Sequence, residues 1–299
     1  MPTSSREFRI GAVFCIASAA CYASLSVLGK LAFAAGITLT GLLSVRFLGA
    51  AILLAGLLVV LRRPLLPSRP MLRRLFLLGA VLYAIQAALY FAGLQRLPAG
   101  IASMLLYVYP VIVAALDWAV NHRHPGLHIL GAMALALVGV ALTLSPQAGG
   151  SIDLLGGVLV LASATGLSVY VILSETPSRS VGSRMAAMWI TAGAGLSFSV
   201  AGAATGTLDW GGLLPSAWIV PAIIVFGTVL PVTLFLSGMG RVGPTAAALL
   251  STLEPVFTVA MGVVWLAESP TGLQVAGGAL VLTSAVLVTV RPRSSSLDM

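Results

Sequence analysis

"LQRLPAGIASMLLYVYPVIV" (residues 94–113) and "GMGRVGPTAAALLSTLEPVF" (238–257) carry nearly the same phrase. In each, an arginine (Arg96, Arg241) is followed by a helix-starting proline (Pro98, Pro244) and a small-residue run, then by a second proline (Pro110, Pro255) fourteen residues after the arginine. The two align at a constant offset of 145, which also pairs Ala102 with Ala247, Leu105 with Leu250 and Val111 with Val256. The same offset sets "GAVFCIASA" from residue 11 on "GGVLVLASA" from residue 156, and Pro125 on Pro270. Several matches in register across half a chain mark an internal duplication.

What is duplicated is a membrane unit. Of the 299 residues 59% are hydrophobic and 8% charged, against about 25% charged in a soluble domain, so a water-soluble fold is excluded. Apolar runs such as "LTGLLSVRFLGAAILLAGLLVVL" (39–61) reach the roughly 20 residues that cross a bilayer. Charge and Pro/Gly clusters divide the chain into ten spans, at 9–32, 38–61, 73–95, 98–120, 127–145, 153–174, 183–204, 217–239, 243–266 and 271–290. The first span is too long for a secretory leader and is followed by nine like it. No length remains for a nucleotide-hydrolysing domain, and the "GK" at 29–30 lacks the flanking residues of a phosphate loop. Cys15 and Cys21, six residues apart on one helix, cannot bridge and read as packing residues.

The net charge of +8 is explained by position. With a cytoplasmic N-terminus, Arg6, Arg9, Arg62, Arg63, Arg69, Arg73, Arg74, Arg123, Arg179, Arg184, Arg241, Arg291 and Arg293 fall inside, Lys30 and Arg96 fall outside, and Arg46 lies within a span. That asymmetry follows the positive-inside rule and needs no nucleic-acid partner. Trp118 and Trp189 then fall near the inner boundary, and Trp210, Trp218 and Trp265 near the outer one, where tryptophan is favoured.

The expected fold is therefore all-α and integral to the membrane: ten transmembrane helices in two five-helix repeats, residues 1–146 and 147–299, with both termini cytoplasmic. Five is odd, so the second unit enters from the opposite face and the repeats are inverted. Inverted repeats let either half adopt either packing, which is the basis of alternating access. Pro110 and Pro255 lie deep in the fourth and ninth spans, where each frees a carbonyl four residues back, at Leu106 and Ser251. Freed backbone must be satisfied by protein or by a wet cavity, and the paired kinks are expected against the translocation path.

These features resemble the EamA family of the drug/metabolite transporter superfamily. The resemblance rests on the ten spans, the duplication, "PAGIASMLLYVYP", "GPTAAALLSTLEP" and the closing "AESPTGLQVAGGALVLTSAVLV", whose Ala267–Glu268 stands where the family usually has "GE". Within it the chain is similar to the YddG-type exporters of aromatic amino acids and paraquat. The resemblance implies a bacterial inner-membrane exporter of small metabolites that is no enzyme and uses no cofactor.

Candidate site residues follow from side chains that are costly in lipid. Tyr22, Tyr83, Tyr107 and Tyr109 map to mid-span, where each hydroxyl needs a partner or a wet cavity. Tyr83, Gln86 and Tyr90 share one helix face at i, i+3, i+7 spacing. Either these residues serve interhelical packing or they form an aromatic wall for an amphipathic ligand. Arg46 and Glu254 lie within spans, at an insertion cost of about 2.5–3.5 kcal/mol each at mid-helix, and should face protein or water. Glu254 is a candidate for a substrate ammonium or a proton, or for a bond to a neighbouring helix. Arg46, Gln86, tyrosine hydroxyls and kinked helix ends such as that at Ser251 can serve a carboxylate. Asp117, beside Trp118 at the inner boundary, can reach water. His122, His124 and His128 read as a solvated basic loop rather than a metal site.

The expected partners are a small-molecule substrate and the bilayer, with the chain a monomer. The alternatives are a nucleotide-sugar or other metabolite carrier of the same fold, a channel, or an intramembrane enzyme. A polyanionic substrate calls for more cations than Arg46 alone. A channel calls for pore-lining polar rings, and an enzyme for a paired constellation that the spans lack.

Overall fold

A computed structural model describes residues 5–121, 127–144, 153–209, 217–242, 247 and 250–289. Helices α1 (Ser5–Ala34) and α2 (Leu39–Val60) are followed by α3 (Arg69–Leu77), which runs through a π-helical turn (Leu78–Tyr83) into α4 (Ala84–Leu94). Next come α5 (Ala99–Leu106), α6 (Tyr109–Asn121) and α7 (Leu127–Thr143). The second copy opens with α8 (Leu154–Val181) and α9 (Ser183–Thr205), then α10 (Ile219–Ile224), which passes through a π turn (Val225–Val229) into α11 (Leu230–Val242). It closes with α12 (Glu254–Leu266) and α13 (Gly272–Thr289).

Among the described residues six helical stretches are long and apolar enough to cross a membrane: Arg6–Ala34, Leu39–Val60, Arg69–Leu94, Leu154–Ser174, Ser183–Thr205 and Ile219–Met239. Ala99–Val113, Leu130–Thr143, Glu254–Leu266 and Gly272–Leu287 are apolar but shorter. The expected fourth span is divided rather than kinked. It breaks at Tyr107–Val108, between α5 and α6, and Pro110 sits in the first turn of α6, where a missing N–H costs little. Thr252–Leu253 form the matching break before α12, with Pro255 again in the first turn. Many large aliphatic side chains point outward, Val60 (78% exposed) and Val264 (74%) among them, as expected of helices whose outer surface meets lipid.

The duplication is carried into three dimensions. The two π turns lie 145 residues apart to within two positions, and so do α6 and α12, of thirteen residues each. The most extensive interhelical packing joins α7 to α13 and α2 to α9, each a pair of counterparts, then α1 to α11 and α4 to α8, which are counterparts of each other. Counterparts run antiparallel: a methyl added at Gly195 on α9 would meet Leu48 on α2, and one at Gly202 would meet Thr40.

With no hydrophobic force between helices in lipid, close approach of small residues and interhelical hydrogen bonds hold such a bundle. Both devices occur twice. A methyl on Gly11 would lie 2.7 Å from Arg241 Cβ, and one on Gly156 would lie 2.9 Å from Arg96 Cβ. One on Gly238 would lie 2.8 Å from the Gly11 carbonyl oxygen, and one on Gly93 would lie 3.0 Å from that of Gly156. Ser18 Oγ donates to the Pro231 carbonyl (2.7 Å), and its counterpart Ser163 donates to that of Gln86 (2.9 Å). The arginine of the repeated phrase thus marks a contact, made once at α1–α11 and once at α8–α4.

Trp218 (61%) and Trp265 (60%) are exposed, and Trp189 Nε1 donates to the Leu65 carbonyl. Trp210, Pro125, Pro244, His122, Arg123, His124, Arg291 and Arg293 lie outside the described residues, as do the side chains of Asp117, Trp118, His128 and Arg179.

Candidate functional site

A cavity of about 440 Å3 lies between the two copies. Tyr22, Arg46, Tyr83, Gln86, Tyr90, Tyr107, Tyr109 and Glu254, eight of the nine expected substrate-binding side chains, line it. Tyr170 completes the set, so all six tyrosines of the chain face one space. The ninth, Ser251, is not among the lining residues; its carbonyl, deprived of a helical donor by Pro255, accepts from the lining Tyr107 Oη at 2.7 Å.

Local structure aims these groups. The π turns re-register the third and eighth spans, as such turns often do at functional sites. Tyr83 and its counterpart Thr228 both sit within them and both line the cavity. Arg46, only 4% exposed, donates from Nε to Thr228 Oγ1 at 3.1 Å. Its guanidinium lies 4.6 Å from the Phe47 ring centre and 5.4 Å from that of Phe91, a cation–π setting that holds the charge in place. Tyr107 Oη, besides meeting Ser251, donates to Glu254 Oε2 at 2.8 Å and so ties the break in the first copy to the break in the second.

A chain of aromatic rings runs from the core to the cavity, which Tyr83 and Tyr170 line. Phe198 stacks on Phe47 (5.9 Å), Phe47 meets Tyr83 (5.4 Å) and Tyr83 meets Tyr170 (4.9 Å). Two of the expected polar handles are engaged within the protein. Gln86 Nε2 donates to Ser163 Oγ (3.0 Å), and Tyr90 Oη shares a 2.7 Å bond with Ser26. Tyr22, Tyr83 and Tyr109 hydroxyls have no partner among the described residues, yet none is a sealed, unsatisfied group; they face the open space. Arg46 and Glu254 make no ion pair there with each other. Among the described residues no cluster of His, Cys, Asp or Glu could hold a metal ion.

Tyr170, Thr191 and Thr228 escape a reading based on mid-span aromatics and charges, but the offset finds them. Tyr22, Leu25, Ser26, Arg46, Tyr83, Ala87 and Tyr109 line the cavity, and so do the residues 145 later: Leu167, Tyr170, Val171, Thr191, Thr228, Val232 and Glu254.

The comparisons with known proteins agree with this architecture. The model of the EamA-like transporter family matches residues 9–145 and again 154–290, two stretches with the same 145-residue offset. The chain is 27% identical over 294 residues to the uncharacterized transporter YcbK of Bacillus subtilis (strain 168), covering 91% of this chain and 90% of that one. It is 28% identical over 215 residues to an uncharacterized transporter of Archaeoglobus fulgidus, covering 71% and 75%. A crystal structure superposes on 93% of this chain and 95% of its own with a TM-score of 0.63 at 19% identity, a likeness of fold alone.

Proposed function

The chain belongs to the EamA-like transporter family, and from that premise we propose that it is an inner-membrane secondary transporter exporting small amphipathic metabolites, above all amino acids including aromatic ones, by alternating access. The repeats are residues 1–146 and 147–299, inverted across the membrane with both termini cytoplasmic. The antiparallel packing of counterpart helices and the arginine-rich cytoplasmic loops support that orientation.

One observation carries the substrate reading: a single cavity lined by six tyrosines also holds Arg46 and Glu254, charges of opposite sign not paired to each other. Small-molecule sites are mostly apolar clefts of about 300–1,000 Å3 with few placed polar groups, and the volume of about 440 Å3 suits one amino acid. The arginine is matched to a carboxylate and the glutamate to an ammonium group, with the tyrosine wall against the side chain. Direction comes from the substrate gradient or from proton exchange at Glu254.

The test is uptake of a panel of labelled amino acids and cationic drugs into proteoliposomes, with and without a pH gradient. Saturable uptake of aromatic amino acids is expected. Uptake confined to permanently cationic drugs would overturn the substrate class. Cysteine tags in the loops near Ser68 and Gly212 should react from opposite faces; both reacting from one face would end the inverted arrangement.

A further inference from the structure

We propose that Glu268 is the latch that holds the cavity shut at one end, by capping a helix that belongs to the other copy; this rests on the transporter reading above. Helix α5 begins at Pro98, which offers no side-chain acceptor to the first N–H groups of its helix. Glu268 supplies the missing cap across the repeat boundary. Its Oε1 accepts from Ala99 N at 2.6 Å and its Oε2 from Gly100 N at 3.2 Å. A carboxylate on two amides at the positive end of a helix is a charge-assisted pair.

The chain is shaped to hold the carboxylate there. Ala267 takes the left-handed conformation (φ 53°), and Glu268 N donates to the Gly262 carbonyl at 3.1 Å, which turns the side chain back along α12. A methyl on Gly262 would lie 2.6 Å from Glu268 Oε2, so only glycine leaves the carboxylate its place. Beside the latch, α5 and α12 approach closely at Gly100, where a methyl would lie 2.8 Å from Val259 Cγ2, and every residue from Ala99 to Leu105 is buried.

The latch sits at the end of the α5–α12 junction away from the tyrosine-lined cavity, beside a pocket of about 210 Å3 lined by Gly100, Met104, Val259 and Glu268. The tyrosine-lined cavity reaches Ser178 and Ser183, either side of the exposed Gly182 turn, but takes only Leu106 from α5 and only Glu254 from α12. Glu268 also walls a shallower space of about 450 Å3, with Lys30, Arg96 and Leu266. The residue 145 positions before Glu268 is Arg123, a cation that cannot accept from an amide N–H. The carboxylate of the latch therefore has no counterpart at the matching position of the first copy.

The experiment measures access rather than transport. In a background of Cys15→Ala and Cys21→Ala, Ser103→Cys on α5 reports opening, and Ser44→Cys on α2 serves as an equally buried control; both serines are 1% exposed. A membrane-impermeant maleimide is applied to each face of vesicles separately. Glu268→Ala removes both charge-assisted hydrogen bonds and should raise labelling at position 103 about tenfold or more, the population change that loss of even one of them implies. Gly262→Ala, which displaces the carboxylate without removing it, should do the same, and Glu268→Gln should fall between. Unchanged labelling at position 103 in both alanine variants, or an equal rise at position 44, would overturn the latch. Absence of amino acid uptake by the parent protein would overturn the substrate reading and leave this result legible by itself.

Discussion

Replacing Tyr107 by Phe removes one hydroxyl from the junction of the two broken helices and leaves the ring in place. That hydroxyl donates to the Ser251 carbonyl at 2.7 Å and to Glu254 Oε2 at 2.8 Å. A phenol has one proton for two acceptors, so the change removes one full hydrogen bond and part of a second. A stranded buried acceptor costs about 1–3 kcal/mol in soluble proteins, whereas interhelical side-chain bonds in membrane proteins average about 0.6 and reach about 1.7 kcal/mol. The Ser251 carbonyl belongs at the upper end, because Pro255 has already removed its helical donor. We expect a loss of about 1–2 kcal/mol, or about 5- to 30-fold in the ratio of folded to unfolded protein. The assay is unfolding in mixed micelles titrated with dodecyl sulfate and followed by helical circular dichroism. Tyr109→Phe is the control, since that hydroxyl has no partner among the described residues and should stay within about 0.5 kcal/mol of the parent. A double-mutant cycle with Glu254→Gln separates the carboxylate's share from the carbonyl's. If Tyr107→Phe is no less stable than Tyr109→Phe, the bond across the breaks does not fasten the two copies.

Three further outcomes are expected. Glu254→Gln should abolish or uncouple export while the protein stays folded; uptake and pH dependence equal to the parent's would remove Glu254 from the mechanism. Tyr83→Ala breaks ring contacts with Tyr170 and Phe47 and should weaken binding of aromatic substrates about 2- to 10-fold, whereas Trp265→Ala, 60% exposed, should leave it unchanged; equal effects would refute the assignment of the wall. The Gly156 N–H (2.8 Å) and then Arg96 hold the Asp153 carboxyl below its ordinary value. Its contribution to stability is therefore present above the ordinary pKa and lost as pH falls through the lowered folded value. The stability gap between parent and Asp153→Asn should be flat from neutral pH to about 4 and close below it; a gap that varies near neutrality contradicts this.

The cavity was legible because lipid makes certain side chains conspicuous. A tyrosine, arginine or glutamate in mid-span needs a polar neighbour, and Tyr22, Arg46, Tyr107, Tyr109 and Glu254 do face one space. What stayed hidden was how each group is engaged. Gln86 and Tyr90 sit on the expected face but bond Ser163 and Ser26, serines of other spans that no local pattern links to them. The breaks at Tyr107–Val108 and Thr252–Leu253 were read as kinks, since a proline alone does not say whether the turns before it persist. Pro231 follows the second π turn and could have announced it, but the first copy has Gln86 at that place and nothing in its sequence marks the turn.

The duplication itself divides architecture from site. Several pairs that pack the bundle are identical in the two copies: Gly11 and Gly156, Ser18 and Ser163, Gly93 and Gly238, Arg96 and Arg241, Pro110 and Pro255; others are not, since the close-packed Gly195 and Gly202 answer to Ala50 and Leu57. Pairs that line the cavity all differ, among them Tyr22 and Leu167, Arg46 and Thr191, Tyr83 and Thr228, Tyr109 and Glu254. Where one geometry makes the same contact twice, as α1–α11 and α8–α4 do, both copies keep the same small residue. A ligand without twofold symmetry meets the two walls with different chemical groups, so each wall must carry its own. With an arginine where the other copy has a threonine, and a glutamate where it has a tyrosine, the cavity holds one basic and one acidic group, which identical copies could not do. Restoring symmetry there, by Arg46→Thr or Glu254→Tyr, should leave the glycine contacts between the helices intact while lowering saturable amino acid uptake into proteoliposomes; uptake equal to the parent's would refute a role for the asymmetry.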